Sequence, residues 1–463
     1  MQQVRYAHFS RVLLVLGLLL TLGACLSIQK PAQVDPVTVA PTATQPSRCV
    51  EYDTVGGFQD AFVGQLETQG PDGFDSIVQF IEDPGTGLIY ALGAQDNTGA
   101  NQFEAVMMAS TDQGQTFSTV NSFQFTAGQP TFLASLAWLE GFGITLAGPG
   151  KSAISTTWRA ASFSLSGMSG VWTPEASFEL SPGKECIAFS ENGRPYVDSS
   201  GDLFVPAGCL DASNENHWMV LRYRASTGAF TAVDDVDLFT DPGVQEAPVA
   251  IVGDGAGTLW AAGNSFSVLN TAPGWLIRKS TDGGQSWTTL PLPLWQKEAG
   301  QEALLRDLYR TQNGDLYAMG SARVTTAGGQ EHAVVKRSSD GGATWTDLHS
   351  APIINATQIL SAPDLGYNSF YRMHEANDGT LFFAAEGAIS GSGASTAMVR
   401  ILLSDDTWAG EDGGSYAELG KRARAFTVWT DSNQHVYKGG RAATSTVTQA
   451  FIRRLTCNRT ELY

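Results

Sequence analysis

Six times along this 463-residue chain an aliphatic residue is followed by an aromatic one at nearly constant distance. Leu88 leads to Phe117, Ile144 to Trp172, Leu203 to Phe230, Leu259 to Trp287, Leu316 to Trp345 and Leu381 to Trp408, with gaps of 27 to 29 residues. The leading positions recur every 55 to 65 residues, and a seventh, Val436, follows Leu381 by 55. One large sheet has no reason to repeat at that interval, whereas a small sheet copied around an axis does.

Within each unit an apolar strand turns through Gly, Asn or Asp and returns as a second strand. Asn313-Gly314-Asp315-Leu316, Asp378-Gly379-Thr380-Leu381 and Gly257-Thr258-Leu259 are such turns; tight hairpins need residues that tolerate φ > 0. A third strand follows, for example Ala333 to Arg337, then a second turn and a fourth strand carrying the aromatic. Four antiparallel strands per unit and no long amphipathic helical stretch predict an all-β, seven-bladed β-propeller over 49–463. The seventh aromatic would fall one residue beyond Tyr463. The missing strand is therefore expected from the N-terminus, over Cys49 to Val55 with Tyr52 as the aromatic, closing the ring in the last blade.

The second turn carries the most specific motif. Residues 110–117, 280–287 and 338–345 all read S-x-D-x-G-x-x-[WF], with Asp112, Gly114 and Phe117, Asp282, Gly284 and Trp287, and Asp340, Gly342 and Trp345 in matching places. The motif resembles the Asp box, or bacterial neuraminidase repeat, of the sialidase-like propellers. Its chemistry is structural: Asp accepts hydrogen bonds from loop amides, Gly gives backbone freedom, and the aromatic wedges between sheets.

Sialidases add a clamp of three arginines, a Tyr–Glu nucleophile pair and an Asp acid/base. The resemblance would bring the first arginine in a Phe-Arg-Ile-Pro motif before the first box. The strand there, Asp75 to Phe80, has no arginine, and sialidases have six blades rather than seven. The resemblance covers the repeat scaffold, not the catalytic residues, and scaffold alone does not carry activity.

Propellers bind ligands at the mouth of the central channel, on their innermost strands. In repeat register Arg306 and Asp307 of blade five stand beside Tyr371 and Arg372 of blade six, followed by Arg424 of blade seven. His374 and Glu375 lie further along. Three arginines on adjacent strands suit an anion. The competing structural reading pairs Asp307 with Arg372 inside the ring.

Residues 1–24, with Arg5, Arg11 and the apolar run Val12 to Leu22, are read as a signal peptide. Leu22-Gly23-Ala24-Cys25 resembles a bacterial lipobox, making Cys25 the lipidated residue. Residues 25–48, rich in Pro, Thr, Ala and Gln, are read as a flexible tether. Leu26 after the cysteine favours the outer membrane or cell surface over inner-membrane retention. Loss of the two signal arginines takes the net charge from −18 to −20, which excludes an electrostatic footprint for nucleic acid. Contact with the membrane is expected through the lipid anchor alone.

The four remaining cysteines suit an oxidising compartment. Repeat register pairs Cys49 with Cys457 and Cys186 with Cys209. The six histidines show no metal-ligand spacing, and no cofactor motif stands in its required context. The sequence thus predicts a monomeric, lipid-anchored envelope propeller that binds a glycan or an envelope protein. The alternative is a sialidase-like exo-glycosidase using Arg306, Arg372 and Arg424 with Tyr371.

Overall fold

The repeat becomes seven four-stranded antiparallel sheets arranged in a ring, each unit's first strand innermost. The computed structural model describes residues 47–52, 58–64, 75–97, 102–125, 135–140, 143–151, 156–166, 169–182, 184, 186–187, 193–238, 245–266, 274–290, 303–324, 330–351, 369–389, 394–402, 408–411, 423–443 and 448–462. Among them there is no helix. The signal, Cys25 and most of the tether lie outside the described residues. The innermost strands are Ser76–Glu82, Ser135–Leu139, the split pair Cys186–Ile187 and Tyr196–Val197, Gln245–Gly253, Ala303–Arg310, Ser369–Glu375 and Ala423–Thr430. Apolar side chains from facing sheets fill each junction between blades: Phe204, Trp218, Ile251 and Leu259 join blades three and four, for example.

An N-terminal strand closes the ring, but not the expected one. Gln59–Gly64 pairs with Thr448–Leu455 and completes blade seven. Ser47–Tyr52 pairs instead with Cys457–Leu462 in a separate two-stranded sheet. The expectation assumed that the C-terminus ended inside the blade. In fact a further six-residue strand, Cys457–Leu462, follows the third strand and needs a partner of its own, which moves the closing strand downstream. Phe58, immediately before that strand, is buried in the core of the last blades, the role expected of Tyr52.

Register corrects one repeat position. Ile89, not Leu88, pairs with Ser110, as Leu259 pairs with Ser280 and Leu316 with Ser338. The disulfide Cys186–Cys209 is present, on directly paired positions of the first two strands of blade three. Cys457 is also disulfide-bonded. The side chain of Cys49, its expected partner, lies outside the described residues.

A second periodicity is visible only in the register. The innermost strand carries a β-bulge at Val78, Val249, Arg306, Tyr371 and Phe426 in blades one, four, five, six and seven. A bulge kinks the strand and re-aims its side chains. It also drives the strand's carbonyl over the neighbouring strand. A Cβ on Gly263, Gly320 or Gly440 would lie 2.1, 1.9 or 1.8 Å from the carbonyl oxygen of Ala247, Leu304 or Arg424. Glycine four residues after the leading aliphatic position accompanies the bulges of blades four, five and seven, whereas blade six has Ala385 there.

The channel-facing strand edges are satisfied by side chains that imitate a further strand. The Gln79 amide donates to Leu136 O at 2.8 Å and accepts from Leu136 N at 3.0 Å. Asn264 does the same for Leu305, at 2.9 and 2.6 Å. Buried backbone groups require such partners. Adjacent turns are laced too: Glu82 accepts from Ser432, Glu375 from Gln312 N and Gln434 from Asn377 N.

Candidate functional site

The bulge places Arg306, Tyr371 and Phe426 at matching positions on three successive innermost strands. Arg306 Cζ lies 5.4 Å from the Tyr371 ring centroid. Tyr371 meets Phe426 edge-on at 5.2 Å, and Arg441 Cζ lies 5.3 Å from the Phe426 ring. Two cations thus flank a pair of aromatic rings across blades five to seven, each near the ring beside it.

Behind this row stands Glu386, buried on the second strand of blade six. Tyr371 donates its hydroxyl to Glu386 Oε2 at 2.9 Å, and Arg424 Nε approaches the same oxygen at 2.7 Å. Ser395 Oγ donates to Oε1 at 2.5 Å. Burial, and then the Glu386 charge, push the Tyr371 hydroxyl well above the usual phenol range, against the opposing pull of Arg424 and Arg306. The phenol therefore keeps its proton at neutral pH and acts as a donor. Arg306 is half-buried, its Nε makes no hydrogen bond, and among the described residues no carboxylate pairs with it.

One position further along, the chemistry is structural, and it extends the expected pairing. Asp307, fully buried, pairs closely with Arg194 and at longer range with Arg372. Arg194 Nε and Nη2 reach its two oxygens at 2.7 and 2.6 Å, while Arg372 Nη1 stands off at 3.9 Å. Asp307 Oδ2 also accepts from Met373 N at 3.0 Å, and Arg194 Nη2 donates to Met373 O at 2.6 Å. The ion pair thus does for Met373 what Gln79 does for Leu136.

Arg194 gets there because the first strand of blade three is broken. Its backbone leaves the sheet and bonds the edge of blade four, with Arg194 N to Val249 O at 3.0 Å and Ile251 N to Arg194 O at 2.9 Å. The guanidinium then lies 4.7 Å from the Tyr309 ring centroid in blade five. Blades three to six are tied together at the axis by one residue, through its backbone to blade four and its side chain to blades five and six.

This crowding explains the titration of the neighbours. Burial, then the charge of Arg194, lower Arg372 to about 9, with Asp307 offsetting part of the fall. It remains a cation at neutral pH. Burial and both arginines lower His374 to about 3, so its imidazole is neutral; its Nε2 lies 2.8 Å from Thr430 Oγ1.

Of the expected site residues, Arg306, Tyr371 and Arg424 converge, around Glu386. Asp307 and Arg372 belong to the layer beside them. Sequence reasoning missed Glu386, Ser395 and Arg194; Gly320 and Gly440, which mark the bulges, were the available signal for where the row would stand. The three S-x-D-x-G-x-x-[WF] turns lie beyond the third strands, away from this row, and their carboxylates are spent on their own loops. Among the described residues no cluster of His, Cys, Asp or Glu could hold a metal ion.

No known protein family and no curated protein matches the chain. Solved structures do resemble it. An α-L-arabinanase of Penicillium chrysogenum complexed with arabinobiose matches with a TM-score of 0.44 and 11% identity, covering 88% of this chain and 99% of that one. A Trypanosoma rangeli sialidase in complex with the inhibitor DANA matches with a TM-score of 0.45 and 11% identity, over 89% of this chain and 60% of that one. The class, a seven-bladed β-propeller, is defined by the chain's own seven sheets. At such identities the likeness concerns fold alone, and the chemistry is argued from this chain's own residues.

Proposed function

We propose that this propeller is an anchored recognition module of the bacterial cell envelope that binds acidic glycans and does not hydrolyse them. The observation that carries the reading is Arg306: a half-buried guanidinium stacked on Tyr371 with no carboxylate partner among the described residues. Planar guanidinium groups favour carboxylates through paired hydrogen bonds. Tyr371 and Arg424 are already committed to Glu386, which suits a fixed binding surface better than a nucleophile awaiting activation.

The motif-bearing turns support kinship with the Asp-box propellers at the level of the repeat. The lipobox-like segment before Cys25 supports a lipid anchor, and residues 26–48 a tether holding the disc away from the membrane. Replacing Cys25 by Ser is expected to move the protein from the membrane fraction to the soluble one.

The second reading, an exo-glycosidase, is favoured by one contact: the Tyr371–Glu386 hydrogen bond joins a phenol to a carboxylate able to take its proton. One experiment separates the two. The full chain is assayed on an array of carboxylate-bearing and neutral glycans, and with fluorogenic sialosides and other glycosides. Retention on acidic glycans, weakened at least tenfold by Arg306→Ala, with no turnover, is expected. Turnover abolished by Tyr371→Phe would establish the glycosidase. Retention of envelope proteins with no glycan bound would replace the glycan by a protein partner.

A further inference from the structure

Glu246 is the second residue of the innermost strand of blade four and is 1% exposed. No functional reading so far employs it. Its Oε1 accepts from Leu238 N at 2.5 Å, holding the chain that leaves the outer strand of blade three. Its backbone carbonyl accepts from Asn216 Nδ2 at the start of the third strand of that blade. Two acceptors at this junction, Glu246 Oε2 and Asn216 Oδ1, are buried without a hydrogen bond among the described residues. An ionised carboxylate brings no donor and worsens the deficit, while a carboxylic acid brings one O–H.

The surroundings point the same way. Among the described residues the nearby cation, Arg278 on the third strand of blade four, is already paired with Asp234, at 2.6 and 2.8 Å. Asp237 adds a second negative charge beside Glu246, and the Leu238 and Trp218 N–H groups oppose the effect only in part. Burial is the largest influence and raises the carboxyl to about 8. A buried carboxylate is costly unless paired and fully hydrogen-bonded.

We propose that Glu246 is carried in the folded protein as a neutral carboxylic acid whose proton completes the buried junction of blades three and four, and that losing this proton loosens the junction. The device is a pH-sensitive anchor on the connection between those blades. It stands independently of any ligand the propeller binds.

Hydrogen exchange of the full chain tests it. After correction for intrinsic rates, protection at Leu238 should fall at least tenfold between pH 6.5 and about pH 9, above the raised carboxyl. In Glu246→Gln, a neutral isostere, it should not change with pH. Equal pH dependence in both proteins, or none in either, would overturn the proposal. Should Glu246→Gln not fold, infrared titration of wild-type chain labelled with 13C-carboxyl glutamate reads the proton directly. A glutamic acid band persisting at pH 7 and lost on passing pH 8 is expected; no such band above pH 6 would overturn the proposal.

Discussion

At the scale of single residues, the molecule repeatedly solves one problem: a tight five-residue loop whose amides face away from any strand. In the three motif-bearing turns the Asp carboxylate does this. Asp112 Oδ1 accepts from Thr116 N at 2.9 Å, Asp282 Oδ1 from Ser286 N and Asp340 Oδ1 from Thr344 N at the same distance. The same i to i+4 contact recurs where the motif is absent, at Asp198, Asp211, Asp254 and Asp431. Hydrogen bonds from Ser286 and Ser280 lower Asp282 to about 2, and Asp340 is lowered further still by the same kind of contacts. Because the folded value lies below the unfolded one, the stabilisation is present above about pH 4 and lost as pH falls through the lowered range. An acid titration followed by circular dichroism should show it, and Asp282→Asn should flatten that limb.

Gly114 is a sharper case. Its φ is +76°, and a Cβ there would lie 2.2 Å from the ring of Tyr437, whose hydroxyl donates to Gln113 O at 2.9 Å. Gly114→Ala should therefore cost about 2–4 kcal/mol in denaturant unfolding, from overpacking and left-handed strain together.

At the scale of elements, the innermost strand is the informative unit, because it faces no further strand and must be completed from elsewhere. Asn264, Gln79 and the Arg194–Asp307 pair each complete one such edge. Replacing Asn264 by Leu should leave Leu305 N–H and C=O both unpaired in the interior. The expected cost is about 2–4 kcal/mol by thermal and chemical unfolding, well above that of an exposed Asn→Leu change. A cost below about 1 kcal/mol would mean that water reaches the edge. The same logic separates the two kinds of site residue. Asp307 completes an edge, whereas Arg306, one position earlier on the bulge, completes nothing within the described chain.

At the scale of the whole molecule, ring closure and blade three carry the topology. Closure depends on a strand from near the N-terminus entering the last blade, so blade seven joins residues almost 400 positions apart in sequence. Blade three instead has a broken first strand, stitched to its neighbour by Cys186–Cys209 over a separation of 23 residues. The paired replacement Cys186→Ser, Cys209→Ser should lower stability by roughly 3 kcal/mol in the chain-entropy account. It should also loosen Arg194 on the same broken strand, seen as faster exchange at Arg194 and Ile251. Mapping of non-reduced peptides will show whether Cys457 joins Cys49.

The sequence by itself determined the number of blades, the strands per blade, the aromatic wedges and the Cys186–Cys209 pairing. Each of these is local or periodic: Gly-rich turns, alternating apolar strands and a constant spacing specify them without reference to distant residues. It also brought Arg306, Tyr371 and Arg424 into one neighbourhood, since repeat register translates directly into position around a ring. Only the tertiary structure decided their partners. Arg194 lies 113 residues from Asp307 in the chain and leaves its own sheet to reach it. Glu386 sits at an interior position of a strand, where nothing in the local pattern asks for a charge. The closing strand was misplaced because the two-stranded sheet of Ser47–Tyr52 and Cys457–Leu462 stands outside the repeat and has no periodic signal. Contacts that join different blades depend on how the units are set against one another, and spacing within a unit does not encode that.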